Sequence, residues 1–342
     1  MKGNHLLDKF EDPQGDVIDV WNKYKEEIPA FYRNMLLIRR FEERCGRLYM
    51  EQKISGFLHL YIGEEAIATG AISALRGDDY IITHYRDHGH ALARGVDVGA
   101  IMAELMGKAT GCSGGKGGSM HLFDISKGFM GGHAIVGAHL PIAVGLAFAI
   151  KQQKKDSVVV CFFGDGAVNQ GEFHEAMNLA AVWKLPVLFV LENNLYGMGS
   201  HVSRTHAGGP DMYQIADSYK MGTLQVDGMD VIEVRHYVDV ALEKLRSGEG
   251  PLFLEAKTYR FRGHSMADPS AYRDSSEVVE WQEKDPIDNL RKLAIKHNIF
   301  EESDLEKINE GVQKTIDDAV AFADESDEPD MSELYNNIYE NI

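Results

Sequence analysis

Apolar residues recur at three- and four-residue steps through residues 16–52, with Ile28, Phe31, Tyr32, Met35, Leu36, Ile38 and Phe41 on one stripe. That period predicts a helix. Residues 62–76 and 97–107 also read as helical. Between 107 and 132 the periodicity stops and nine glycines appear. Such a stretch is a loop of demanding backbone geometry, and long loops inside compact proteins are commonly functional.

From residue 133 onward the pattern alternates between two periods. Residues 157–163 are a continuous apolar run and 186–192 reads as another buried strand, as expected in a parallel sheet, and 251–259 reads as a further strand. Residues 138–151 read as a buried helix. Residues 169–184 read as a helix with Phe173, Ala176, Met177, Leu179, Ala180 and Val182 as its apolar positions. Residues 231–245 form a third helix, and 287–297 and 303–323 close the chain with two more. The alternation predicts an α/β fold: a parallel sheet flanked by helices, with N-terminal and C-terminal helical extensions. The expected division is 1–52, 53–275 and 276–342.

Composition narrows the class. Of 342 residues, 44% are hydrophobic and 26% charged, enough apolar material for a large core. Cys45, Cys112 and Cys161 are too few and too scattered for a disulfide scaffold. They suit a reducing compartment. The 35 basic and 53 acidic residues give −18, which argues against a nucleic-acid partner. Residues 301–342 hold 14 acidic and 2 basic residues, so most of the excess sits in the last segment. A solvated helical face with a tail is the expectation there. No apolar run approaches the ~20 residues a membrane helix requires. Met1–Gly15 has no apolar signal core, so the expected location is cytoplasmic.

The chemistry concentrates at two strand ends. The run 157–163 leads directly into Gly164-Asp165-Gly166-Ala167, and the run 186–192 into Asn193-Asn194-Leu195-Tyr196-Gly197. Ligands of open parallel sheets bind beyond the carboxyl ends of strands. Asp165 and Asn194, 29 residues apart, fit two neighbouring strands joined by one helical crossover. A carboxylate and an amide carbonyl are hard oxygen donors, suited to magnesium or calcium more than zinc. Gly164 and Gly166 let backbone approach a ligand, and the Gly166 and Ala167 amides precede a helix, where phosphate binds readily. No G-x-G-x-x-G occurs. Gly111–Lys116 fails as a Walker loop because its spacing is wrong and Gly117 follows the lysine.

Gly164-Asp165-Gly166 followed at this distance by Asn193-Asn194 resembles the signature of thiamine-diphosphate enzymes. Further blocks occur in order: Phe57-Leu58-His59-Leu60-Tyr61, Thr83-His84-Tyr85-Arg86-Asp87-His88-Gly89, Gly114-Gly115-Lys116-Gly117-Gly118-Ser119-Met120-His121, Ala134-Ile135-Val136-Gly137-Ala138 and Gly263-His264-Ser265-Met266-Ala267-Asp268-Pro269. Together they resemble alpha subunits of the pyruvate dehydrogenase first component, in the 2-oxo acid dehydrogenase family. The likeness covers about residues 20–325. It implies a thiamine-diphosphate-binding fold, in particular the diphosphate-binding domain.

The resemblance also implies roles. Asp165, Asn194 and the Tyr196 carbonyl would hold magnesium. Tyr85, Arg86, Gly166 and Ala167 would contact the diphosphate, with Arg260 and His264 closing over it. Ser126, Ala134 and Val136 would line the cofactor. His59 would stand near the reacting carbon, and His59 and His264 are the catalytic candidates. His84 and His90 are expected to make structural hydrogen bonds, and His88 stays open between a structural and a catalytic part. His121 and His133 are expected to be structural.

The glutamate that activates thiamine diphosphate normally comes from a second, homologous domain, which 342 residues do not provide. The resemblance therefore implies a separate beta subunit in an α2β2 heterotetramer, and a lipoyl-bearing acyltransferase as acyl acceptor. Pyruvate is the implied substrate, with acetoin or another 2-oxo acid as the alternative. Ser265 matches a serine that is phosphorylated in mitochondrial relatives. With no transit peptide at its start, the chain is expected to lack that control.

Overall fold

The computed structural model describes residues 17–336 and Ile338; the reading of Met1–Gly15 lies outside the described residues. The helical stripe of 16–52 becomes α1 (Val17–Tyr24) and α2 (Ile28–Met50), separated by a tight turn at Lys25–Glu27. Pro29 lies in the first turn of α2, where its missing N–H costs nothing. There follow α3 (Glu65–Ser73), β1 (Tyr80–His84), α4 (His88–Arg94), α5 (Val98–Leu105) and β2 (Phe129–His133). The chain continues through α6 (His139–Gln152), β3 (Val159–Gly164), α7 (Gly171–Trp183), β4 (Val187–Asn193), β5 (Gly222–Asp227), α8 (Val231–Arg246) and β6 (Leu252–Lys257). Three helices close it: α9 (Ser275–Gln282), α10 (Pro286–Lys296) and α11 (Glu302–Glu325).

The six strands form one parallel sheet in the order β2-β1-β3-β4-β6-β5. β3 and β4 are neighbours, and their register pairs Gly164 with Glu192. Asp165 and Asn194 therefore leave the sheet side by side. Along β3, Val160 and Phe162 join the core built with α2, α3, α8 and α11, whereas Val159, Cys161 and Phe163 join the core built with α6 and α7. Every residue of β4 is buried, as its continuous apolar run predicts. The helices at both ends of the chain share the first of these cores.

The structure differs from the sequence reading in three respects. The sheet begins at residue 80, not 133, because β1 and β2 are strands whose local pattern is weak. β2 contains Gly131 and Gly132, poor strand formers. A Cβ at Gly132 would stand 1.9 Å from Asp87 Oδ2, so glycine is what lets this backbone approach. β5 is an edge strand, and its half-polar sequence hides it. Finally, α6 is buried on one face only. Ile142 and Phe148 point outward, as do Val182 and Trp183 of α7, and the rings of Phe148 and Trp183 meet at 5.2 Å.

The glycine-rich loop is organised by one side chain. Glu104, fully buried on α5, accepts from the backbone N–H groups of Ser113, Gly115, Gly117 and Gly118 at 2.7–3.1 Å. The C-terminal segment clasps the same loop. Ala109 N–H donates to the Asp327 carbonyl at 2.9 Å, Thr110 Oγ1 to Ser326 Oγ at 2.6 Å, and Lys116 Nζ to Glu333 at 2.9 Å. A bond to a charged acceptor contributes about 1.5–3 kcal/mol, and four on one carboxylate are not additive. Glu104→Ala should therefore lower stability by roughly 3 kcal/mol in denaturant unfolding. It should also speed amide exchange at Gly115 and Gly117; unchanged exchange there would contradict this account of the loop.

Candidate diphosphate-binding site

A cleft of about 370 Å³ opens beyond the carboxyl ends of β3 and β4. Asp165 lies in its wall, 3% exposed, and its Oδ2 has no hydrogen-bond partner. Burial pushes its carboxyl up to about 6, against the pull of Arg260 and the Gly166 and Tyr196 backbone N–H groups. Asn194 donates from Nδ2 to Glu64 Oε1 at 3.0 Å and accepts on Oδ1 from the Tyr196 N–H at 3.3 Å. Glu64 is buried too, and burial raises its carboxyl to about 7 despite Arg86.

Two buried guanidiniums face this wall. Arg86 donates to the Leu60 carbonyl at 2.7 Å and the His264 carbonyl at 2.9 Å. Arg260, 1% exposed, donates to Tyr272 Oη at 3.1 Å. Burial, then the nearby Arg260, lowers the Arg86 pKa against the pull of Glu64. Like charges held together out of water call for a strong anion, and planar guanidiniums suit phosphate oxygens. Gly166, Ala167 and Tyr85 line the same cleft, as does Val136 at its more exposed side.

Beneath the cleft lies a carboxylate with three donors. The Arg86 N–H donates to His84 Nδ1 at 3.1 Å, so the His84 proton is on Nε2 and is donated to Glu192 Oε2 at 2.6 Å. His90 Nε2 stands 3.0 Å from Glu192 Oε1, and the Tyr61 hydroxyl donates to the same oxygen. Burial alone would raise the Glu192 pKa; His90 and His84 outweigh it and hold the group well below the carboxylate range. His88 takes a structural position. Its Nδ1 meets Glu42 at 2.9 Å and its Nε2 meets Ser119 Oγ at 2.9 Å, with no exposure, so it ties α2 to the glycine-rich loop.

His59, Tyr85 and His264 form a ring cluster beside the cleft. His59 lies 4.6 Å from Tyr85 and 5.1 Å from His264, and His264 lies 5.7 Å from Tyr85. The Nδ1 atoms of both histidines are buried without a partner. Burial, followed by the positive charge of Arg86, pushes His59 down to about 2 and His264 to about 3. Both rings are neutral in ordinary buffers.

Two expected lining residues sit elsewhere. Ser126 lies at the opposite end of the sheet, near Tyr80 and Ser157 at the amino ends of β1 and β3, with its hydroxyl on Asp124 at 2.6 Å. The glycine-rich loop runs the length of the sheet, and sequence order does not reveal which end a residue reaches. Ala134 lies in the turn from β2 to Val136, half-buried and outside the cleft lining. Three contributors were not singled out in the sequence. Glu64 and Glu192 carry a readable signal, acids placed where apolar stretches end, at Ile62-Gly63 and at Leu191. His139 lines the cleft and is held by a 2.8 Å bond to the Phe162 carbonyl; its position next to Pro141 in an apolar helix resembles ordinary packing.

A parallel sheet with an acid, an amide and two buried arginines at adjoining strand ends defines a diphosphate-binding α/β protein. The family model described as "Dehydrogenase E1 component" matches residues 33–332. The chain belongs to that family, in which thiamine diphosphate dependence is implied. It is 47% identical over 315 residues to a protein of Rickettsia bellii named pyruvate dehydrogenase E1 component subunit alpha, covering 92% of this chain and 96% of the relative. Proteins of the same name from Zymomonas mobilis and Rhizobium meliloti are 47% and 49% identical, covering 95% and 92% of this chain and 93% and 90% of their own length.

The depressed histidines predict a pH effect. The unfolded chain protonates these rings near pH 6.5, whereas the folded chain keeps them neutral. Their contribution to stability is present above that pH and declines as pH falls below it. A His59→Phe, His264→Phe double variant should lose less stability between pH 7.5 and 5.5 than the parent in denaturant titrations. Equal losses would mean the rings titrate normally in the fold.

Proposed function

We propose that this chain is the alpha subunit of a pyruvate dehydrogenase first component: with a beta subunit it decarboxylates pyruvate and reductively acetylates a lipoyl group on an acyltransferase. The reading rests above all on the unpartnered, buried Asp165 Oδ2 beside Asn194 and two buried arginines, in a chain nearly half identical to proteins of that name. Residues 53–275 are the part that handles the diphosphate. Cys45, Cys112 and Cys161 are all free, in keeping with a cytoplasmic location, and no described helix is long and apolar enough to cross a membrane.

The donor set fits a magnesium diphosphate. Asp165, Asn194 and the Tyr196 carbonyl would hold the cation, a set of one carboxylate and neutral oxygens that leaves room for phosphate oxygens. Tyr85, Arg86, Gly166, Ala167 and Arg260 would hold the diphosphate, with Val136 against the cofactor. When bound, thiamine diphosphate supplies a carbon nucleophile and an electron sink for decarboxylation. The chain's own work is binding and proton control. His59 and His264, being neutral, offer ring N–H groups to an oxygen that gains charge without adding a fixed positive charge. Their close packing with Tyr85 excludes water from that side.

A partner subunit accounts for the apolar residues left outside. Phe57, Ile135 and Met198 are 64–72% exposed, and α6 and α7 present Ile142, Phe148, Val182 and Trp183. Contiguous apolar patches of this kind mark protein interfaces. The cofactor-activating glutamate is assigned to that partner.

The deciding test is decarboxylation by the chain alone and mixed with its beta subunit, with thiamine diphosphate and magnesium. Turnover of pyruvate, confined to the mixture, is expected; preference for acetoin would move the assignment to acetoin cleavage. Asp165→Ala should abolish magnesium-dependent cofactor binding with the fold intact by circular dichroism. Retained cofactor affinity in that variant would remove Asp165 from the cation site. Because Asp165 must ionise to bind a cation, magnesium affinity should also fall below about pH 6.

A further inference from the structure

We infer that Glu64 is a positioning residue: it turns the Asn194 amide so that its oxygen, not its nitrogen, faces the cation, and it braces Arg86 beside it. This rests on the cofactor reading above. Glu64 lines the cleft and is 1% exposed. Its place is set by Gly63, which has φ +106°, and a Cβ there would come within 2.3 Å of the Tyr259 carbonyl oxygen. Only glycine tolerates that approach, so the chain passes tightly under β6 and delivers the next side chain against the end of β4.

The chemistry of the contact determines an orientation. A carboxyl oxygen that carries no proton only accepts hydrogen bonds, whether or not the group is ionised, whereas an amide has one donating and one accepting end. With Glu64 Oε1 on one side of Asn194 at 3.0 Å, the NH₂ group must turn toward it. Oδ1 is then directed the other way, where it meets the Tyr196 N–H at 3.3 Å. An amide turned over would present two N–H groups to a cation. The second oxygen, Oε2, has no hydrogen-bond partner and lies 3.6 Å from Arg86 Nε. Arg86 is already held at both other nitrogens by the Leu60 and His264 carbonyls. The carboxylate thus closes the third side of that guanidinium. A buried carboxylate oxygen without a hydrogen bond is costly, and its position between a cation ligand and a phosphate ligand gives that cost a purpose.

Two mild variants separate reach from charge. Glu64→Gln keeps an accepting oxygen at the same reach and loses the charge. Glu64→Asp keeps the charge and withdraws it from Asn194. Mn²⁺ binding would be measured by electron paramagnetic resonance in the αβ assembly with thiamine diphosphate present, alongside the KM for the cofactor and kcat. Groups that orient metal ligands typically contribute 10–100-fold in metal affinity. Glu64→Asp should weaken Mn²⁺ by about that factor and raise the cofactor KM more than it lowers kcat, while Glu64→Gln stays within about fivefold of the parent. Parent-like affinity in Glu64→Asp, or a Gln variant as weak as the Asp variant, overturns the positioning role. A parent assembly that binds no Mn²⁺ with thiamine diphosphate would instead sink the cofactor reading itself.

Discussion

An ionised carboxylate that water cannot reach must be supplied with donors by the fold, and Glu192 is that group here. It stands on the central strand β4, opposite Gly164 of β3, and takes hydrogen bonds from Tyr61, His84 and His90. Those donors come from the segment before α3, the end of β1 and the body of α4. Holding one charge therefore locks three pieces of chain together. The His84 ring does a second job, because accepting from the Arg86 N–H fixes the backbone that carries the guanidinium. The cleft floor is rigid because no member of this set can leave without stranding a buried charge.

The carboxyl ends of β3 and β4 were legible in the sequence because long apolar runs stop abruptly at Gly164-Asp165 and Asn193-Asn194. Periodicity and the ligand rule for parallel sheets then place the two donors together. β2 was not legible, because Gly131 and Gly132 erase the strand pattern for the sake of close approach to Phe123 and Asp87 respectively. Ser126 was misplaced because a loop without a period gives no distance information. Glu64 and Glu192 stand close to the motifs, but a sequence shows neither burial nor the absence of a partner for an oxygen. Those two facts distinguish them from surface acids.

The site is finished on one side only. The sheet and the ring cluster of His59, Tyr85 and His264 close it from within, while Val136, Ile135 and Met198 leave apolar surface at the mouth. α6 and α7 each cover the sheet with one face, and among the described residues their other faces expose Ile142, Phe148, Val182 and Trp183. On the proposed reading, the exposed apolar surface and the open side of the site both face the beta subunit.

The clasp between the C-terminal segment and the glycine-rich loop has a consequence for the order in which the molecule is made. Lys116 and Glu333 are 217 positions apart. At about 5–20 residues per second, a ribosome adds the tail roughly 10–40 s after it has passed the loop. Glu104 lies only 9–14 residues before the loop amides it binds, so that anchor is synthesised with the loop, whereas residues 326–333 are not. The contacts of Ala109, Thr110 and Lys116 with residues 326–333 can therefore close only late in synthesis.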